Sequence, residues 1–174
     1  MAIKLVFSEF NSEQMVHTCT QWRKDAAKGL AFPSDIEQLI SWVQTHDKHQ
    51  DADSMAFGIF AKGSPVAEGI CEFVVTRVSK SSPWVKMLRL RLKPTLDERI
   101  YLKDINAQGE AMDVFVSAIG GVVKLTNVHA AKTLKIFGRS NDQLSFLQTL
   151  AVSLQKSVKD VTVKIDGRWL VVNV

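Results

Sequence analysis

Trp84-Val85-Lys86-Met87-Leu88-Arg89-Leu90-Arg91-Leu92-Lys93-Pro94 is the stretch on which the reading of this chain turns. From Leu88 to Lys93 it alternates strictly, so on a strand three leucines share one face while Arg89, Arg91 and Lys93 share the other. Pro94 stops the strand. The basic character reaches beyond it: from Arg77 to Lys103 the net charge is +6, against +4 for the whole chain, which leaves −2 for everything else. Like charges in a row on one sheet face repel each other. Such a row calls for an anionic neighbour, either carboxylates of its own fold or phosphates of a partner.

Upstream, Ile3 to Phe7 reads as a short strand. A helix capped by Asn11 or Ser12 runs to Lys28, with Met15, Val16, Cys19, Trp22 and Ala26 on one stripe and Gly29 ending it. Ser34 and Glu37 form a capping box for a second helix that buries Ile36, Leu39, Ile40 and Val43. Met55–Ala61 and Pro65–Val78 read as a hairpin across Lys62-Gly63-Ser64. Downstream of Pro94, Arg99 to Ile105 is either a short strand or an irregular connection. A helix from about Glu110 to Val128 carries Met112, Phe115, Val116, Ile119, Val122 and Val123 at helical spacing, and its Gly120-Gly121 pair suits close packing on a sheet. Thr133–Gly138 is a strand. Ser140 or Asn141 caps a helix to Lys156, and Val161–Ile165 and Arg168–Val172 are strands joined by Asp166-Gly167.

With 174 residues, 46% of them hydrophobic, the chain can bury a core, and the absence of repeats or Pro/Gly-rich linkers predicts a single domain over 1–174. Met1 to Phe7 lacks the cationic start and cleavage site of a signal peptide. No apolar run approaches the roughly 20 residues of a membrane span. Cys19 and Cys71 lie far apart on core-facing positions and are expected as reduced, buried thiols. The expectation is a cytoplasmic protein with no membrane partner.

The resulting order, strand, two helices, three strands, helix, strand, helix, two strands, resembles the GNAT superfamily of N-acetyltransferases across nearly the whole chain. The resemblance implies an α+β fold with a mixed, mostly antiparallel central sheet and helices on both faces. In that family the fourth strand leads directly into a helix through Gln/Arg-x-x-Gly-x-Gly/Ala, whose backbone amides hold the pyrophosphate of acetyl-CoA. Here the fourth strand is Trp84 to Lys93, and its helix is expected only from about Glu110. Pro94-Thr95-Leu96-Asp97-Glu98-Arg99 holds no glycine and Asn106-Ala107-Gln108-Gly109-Glu110-Ala111 holds one, so no residue inherits the phosphate-binding role.

Other constellations are weaker. His46 and His49, with Asp47, Asp51 and Asp53, are metal-ligand types in a polar loop that lacks a shell to fix them, so no metal is expected. There is no Gly-x-Ser-x-Gly, and His17 and His129 sit beside apolar residues, which argues against a serine or cysteine hydrolase. Glu68 and Glu72 are expected opposite Arg89 and Arg91 as cross-strand ion pairs. An acetyltransferase would instead use Glu72 as base and the single tyrosine, Tyr101, as proton donor. Arg139 stands at a strand-to-helix turn where an anion could be held, and Arg168 also follows a glycine. The basic strand lacks interleaved aromatics beyond Trp84, and no nucleic-acid-binding motif appears.

The function these features predict is a non-catalytic binding or accessory protein on a GNAT-like scaffold. It would engage an anionic macromolecule, an acidic protein surface or nucleic acid, through Arg89, Arg91, Lys93 and Arg139, with no cofactor. The alternative is an acyl-CoA-dependent N-acetyltransferase with an atypical phosphate-binding loop, using acetyl-CoA.

Overall fold

The computed structural model describes residues 4–47, 54–76, 83–157 and 161–173. Among these, strands β1 (Leu5–Ser8), β2 (Ser54–Ala61), β3 (Ala67–Thr76), β4 (Trp84–Leu92), β5 (Thr133–Phe137), β6 (Thr162–Asp166) and β7 (Trp169–Asn173) form one sheet in the order β1-β2-β3-β4-β5-β7-β6. β4 and β5 run parallel, whereas β1/β2, β5/β7 and β6/β7 are antiparallel. The fold is a mixed, mostly antiparallel α+β sheet with helices. By internal contacts the chain divides into two compact units, Met1–Glu72 with Leu90–Gly120 and Phe73–Arg89 with Gly121–Val174.

In the first unit, helix α1 (Ser12–Lys28) opens on a capping box: Gln14 donates its N–H to Asn11 Oδ1 at 2.8 Å, and Asn11 donates its own to Gln14 Oε1 at 3.1 Å. Its buried stripe is Met15, Cys19, Trp22 and Ala26. Val16 is 64% exposed, a correction to the expected stripe. Two polar side chains clip α1 to the start of β3. Trp22 Nε1 donates to the Ala67 carbonyl at 2.9 Å, and Thr18 Oγ1 accepts the Ala67 N–H at 3.0 Å.

Helix α2 (Pro33–His46) buries Ile36, Leu39, Ile40 and Val43 in the same core. The expected Ser34–Glu37 box is absent. Pro33 takes the first helical position, where a missing N–H costs nothing, so the cap moves back to Phe32. Glu37 is thereby free to accept two hydrogen bonds from Arg23, at 2.7 and 2.9 Å, which tie α2 to α1.

The largest departure follows β4. Arg99–Ile105, expected as a strand or an irregular connection, is instead the end of helix α3 (Pro94–Tyr101), a short turn and the first residue of helix α4, which runs from Ile105 rather than Glu110 to Val128. The signal was present in the sequence: proline at the first helical position with Asp97 in the first turn marks a helix start. Lys103, with φ +62°, turns the chain between the two helices. Asp104 then caps α4, its Oδ1 accepting from the Asn106 N–H at 2.9 Å.

The buried positions of α4 include Ala107, Val114, Phe115, Ala118, Val122 and Leu125, while Met112, Val116 and Val123 are exposed. The expected stripe was thus rotated. Half of the apolar positions it used lie on a solvent face that composition alone cannot distinguish from the core. By length and mean hydropathy, 24 residues and 1.4, α4 would pass as a membrane span, which amends the reading that no stretch comes near one. Part of that apolar surface is buried within the fold, at Val114, Phe115, Ala118 and Val122. A Cβ built on Gly120 meets nothing within 4 Å. Gly120→Ala is therefore expected to raise stability by up to about 1 kcal/mol, read as a higher thermal midpoint, because it removes unfolded-state freedom without a clash. A lower midpoint would mean that helix packing needs the glycine.

In the second unit, Val85, Met87, Leu134, Ile136, Val163, Leu170 and Val172 are buried, alternating along their strands with half-exposed or exposed residues at most positions. Helix α5 (Asn141–Ser157) buries Leu147 and Ala151, with Leu144, Leu150 and Leu154 half-buried. Ser140 caps it, its Oγ accepting the Gln143 N–H at 3.1 Å. Phe115, Val122, Ile136 and Leu147 are buried, and Ile119 and Leu150 are half-buried. The β6–β7 turn lies on Gly167-Arg168, one residue later than expected, since Asp166 pairs with Trp169. Gly167 has φ +59°, a conformation only glycine adopts without strain.

Candidate functional site

β4 enters α3 through a turn whose donors are already committed. The Lys93 N–H bonds to the Glu68 carbonyl at 3.0 Å. Pro94 has no N–H. Leu96 and Asp97 both give theirs to the Lys93 carbonyl, at 2.9 and 3.0 Å. Among the described residues, that leaves the Thr95 amide as the one uncommitted donor of the first turn. The burial pattern of β4 also shifts phase. Val85 and Met87 are buried and then Leu90, so one extra residue intervenes between the two halves of the strand.

Beside this turn, within the first unit, lies an open cleft of about 440 Å³. Arg91 of β4 reaches it from one side. Leu30, Ala31 and Phe32, between α1 and α2, form another wall, and Asp35 and Ile36 line it from the first turn of α2. Pro94, Asp97, Glu98 and Tyr101 complete it from α3. Three carboxylates and one guanidinium therefore line the same cleft, and the rim carries exposed Phe32 and Tyr101. The Glu98 carboxylate lies so close to Gly29 that any side chain there would have to displace it. Tyr101, expected as a proton donor under the acetyltransferase reading, is 77% exposed at the end of α3.

The residues singled out in the sequence have separate fates. Lys93 pairs with Glu68, Nζ to Oε1 3.5 Å, because their backbones are already bonded side by side. Glu68 thus takes Lys93 where Arg89 or Arg91 was expected. Arg89 is half-buried on β4, and Glu72 is half-buried on β3 with Ser54 Oγ 3.5 Å from its Oε1. Arg139 is exposed at the β5–α5 turn. Its N–H is donated to Gln143 Oε1 at 2.9 Å and its carbonyl accepts from Arg168 at 2.9 Å. Arg168 also donates to the Gly138 carbonyl at 2.7 Å, so its guanidinium fastens the β6–β7 turn to the β5–α5 turn.

Arg99, counted among the basic residues, is held by Asp104 at 2.8 Å and by Glu110 at 2.9 and 3.0 Å. The guanidinium holds the Asp104 carboxyl below the usual carboxylate range. Of the His46/His49 constellation, positions 48–53 lie outside the described residues. His46 Nδ1 sits 2.7 Å from both the Trp42 carbonyl and Thr45 Oγ1, and its ring stacks on Trp42. Among the described residues no three potential metal ligands gather. Cys19 and Cys71 are free and buried, and burial pushes both thiols up, away from the nucleophilic thiolate.

No protein-family model matches this sequence, and no curated protein matches it in sequence. Solved structures do match in shape. An acetyltransferase from Thermus thermophilus superposes with a TM-score of 0.57 at 12% identity, covering 100% of both chains. A GNAT family acetyltransferase from Brucella melitensis, solved with acetyl-CoA, gives 0.51 at 9% identity over 99% of this chain and 89% of that one. Identities this low speak for the fold alone. In fold, the chain is GNAT-like.

Proposed function

We propose that this protein is a non-catalytic binding or accessory protein on a GNAT-like scaffold, engaging an anionic partner through basic residues of β4 and the elements around it. The observation that carries this reading is the β4–α3 turn. Acetyltransferases of this fold meet the acetyl-CoA pyrophosphate there with several converging amides on a glycine-rich loop. Lys93, Pro94, Leu96 and Asp97 leave a single amide at that place, so the residues present do not fit the group. On the partner side, Arg139 is exposed and Arg91 is half-exposed, and among the described residues Arg91 makes no ion pair. Two free, buried cysteines suit a reducing compartment.

A second reading, an acyl-CoA-dependent N-acetyltransferase with an atypical phosphate turn, draws on a different observation. β4 runs straight into a helix at Pro94, as in the family, and its pairing with β5 ends at Met87. Calorimetric titration with acetyl-CoA at physiological salt separates the two. The expected result is no saturable site in the micromolar range, since charge without a shaped cradle binds weakly and is screened by salt. Saturable micromolar binding would make the enzyme the better reading.

A further inference from the structure

Register places three lysines in one line across the second unit. Lys86 of β4 lies opposite Lys135 of β5, Lys135 opposite Val171 of β7, and Val171 opposite Lys164 of β6. At the usual strand spacing this line is about 14 Å long. Two residues along the strands on one side lies the row Trp84, Thr133, Asn173 and Thr162; on the other lies Phe137, Trp169 and Asp166. Because side chains alternate across a sheet, all three rows share one face. Every residue on it is at least partly accessible except Val171, which is 3% exposed between the lysines.

The charge on this face is unanswered. Among the described residues none of the three lysines is in an ion pair, and Asp166 is the one carboxylate in the three rows. Lys86 and Lys135 are direct cross-strand neighbours of like sign, an unfavourable arrangement. Both reach instead for the Trp84 ring, with Nζ 5.5 and 4.0 Å from its centroid. On the far side of the line Phe137 and Trp169 pack together, centroids 4.9 Å apart. A line of cations between aromatic rings, on an accessible four-stranded face, is the arrangement that holds phosphates while bases stack beside them.

We infer that this face binds single-stranded nucleic acid, with Lys86, Lys135 and Lys164 on the phosphates and Trp84 and Trp169 as stacking platforms. The inference rests on the anionic-partner reading above and names its surface and partner class. An acidic peptide needs the cations but has no use for the rings, and paired bases in a duplex offer the rings nothing to stack on.

The test is fluorescence anisotropy of the full chain with a labelled single-stranded 12-mer of dT, a duplex of the same length, and poly-glutamate. The single strand should bind in preference to both, with log K falling linearly in log salt at a slope near −2, as three phosphate contacts imply at about −0.7 each. Trp84→Ala should weaken it roughly fivefold or more, the lower end of what one stacked base contributes. Lys164→Gln, a change at an exposed position, should weaken it and flatten the salt slope, and it keeps the test decisive if the Trp84 variant does not fold. Lys24→Gln, on α1, should leave binding unchanged. Equal binding of duplex and single strand would overturn the inference, as would poly-glutamate binding without the oligonucleotide, although the latter leaves the anionic-partner reading standing. No binding of any polyanion, together with saturable acetyl-CoA binding, would sink both.

Discussion

Trp22→Ala is expected to remove about 3–5 kcal/mol of stability. Trp22 is fully buried among Met15, Cys19, Ile40 and Ile70 of the first unit's core, so truncation opens a cavity lined by several elements. It also strands a polar group. The indole N–H is bonded to the Ala67 carbonyl, and leaving a buried acceptor unsatisfied adds about 1–3 kcal/mol. Trp22→Phe isolates that second contribution, since it keeps most of the ring volume and loses the donor; it should cost less than the alanine variant. Urea unfolding followed by far-UV circular dichroism measures both. A loss below about 1 kcal/mol for Trp22→Ala, well under the usual aromatic-to-alanine cost, would show that α1 is not clipped to β3 as described.

Leu147→Ala, in the second unit, should cost about 2–5 kcal/mol, with the upper half of that range favoured by its surroundings. Leu147 has no exposed surface. A Cβ built on Gly138 would stand 3.2 Å from Leu147 Cδ1 and 3.1 Å from the Leu144 Cα, so α5 already lies against bare backbone there. Glycine has no side chain that could swing into the vacated space, and the cavity would stay largely unfilled. Leu147→Met, which conserves volume, should cost less than about 1.5 kcal/mol. A loss below about half a kcal/mol for the alanine variant would put the buried stripe of α5 on the wrong face.

The element order was legible because it depends on local signals. Alternation, capping residues and glycine turns act over a few positions, and they located β4, α1, α5 and the β6–β7 hairpin to within a few residues. That order was also enough to point to a GNAT-like fold. α3 was missed although Pro94 and Asp97 announced it, because a helix of eight residues carries too few apolar positions to show a period. The rotated stripe of α4 failed for another reason: with apolar residues on nearly all sides, only the packing of the folded chain selects which of them are covered.

Charge pairing belonged to the tertiary structure alone. The sequence grouped Arg89, Arg91, Lys93 and Arg99 as one basic feature, since it counts charges along the chain. The fold gives Lys93 to Glu68 and Arg99 to Asp104 and Glu110, and it leaves Arg91 without an ion pair among the described residues, in a cleft also lined by Asp35, Asp97 and Glu98. Lys86, counted in the same basic segment, falls instead into one line with Lys135 and Lys164, which stand 49 and 78 positions later in the sequence. Coulomb interaction falls off with distance in space, not along the chain. What the sequence determined by itself was therefore the strands, the longer helices and the total charge; which cations are neutralised and which stand together was decided by strand register and by the turn between α3 and α4.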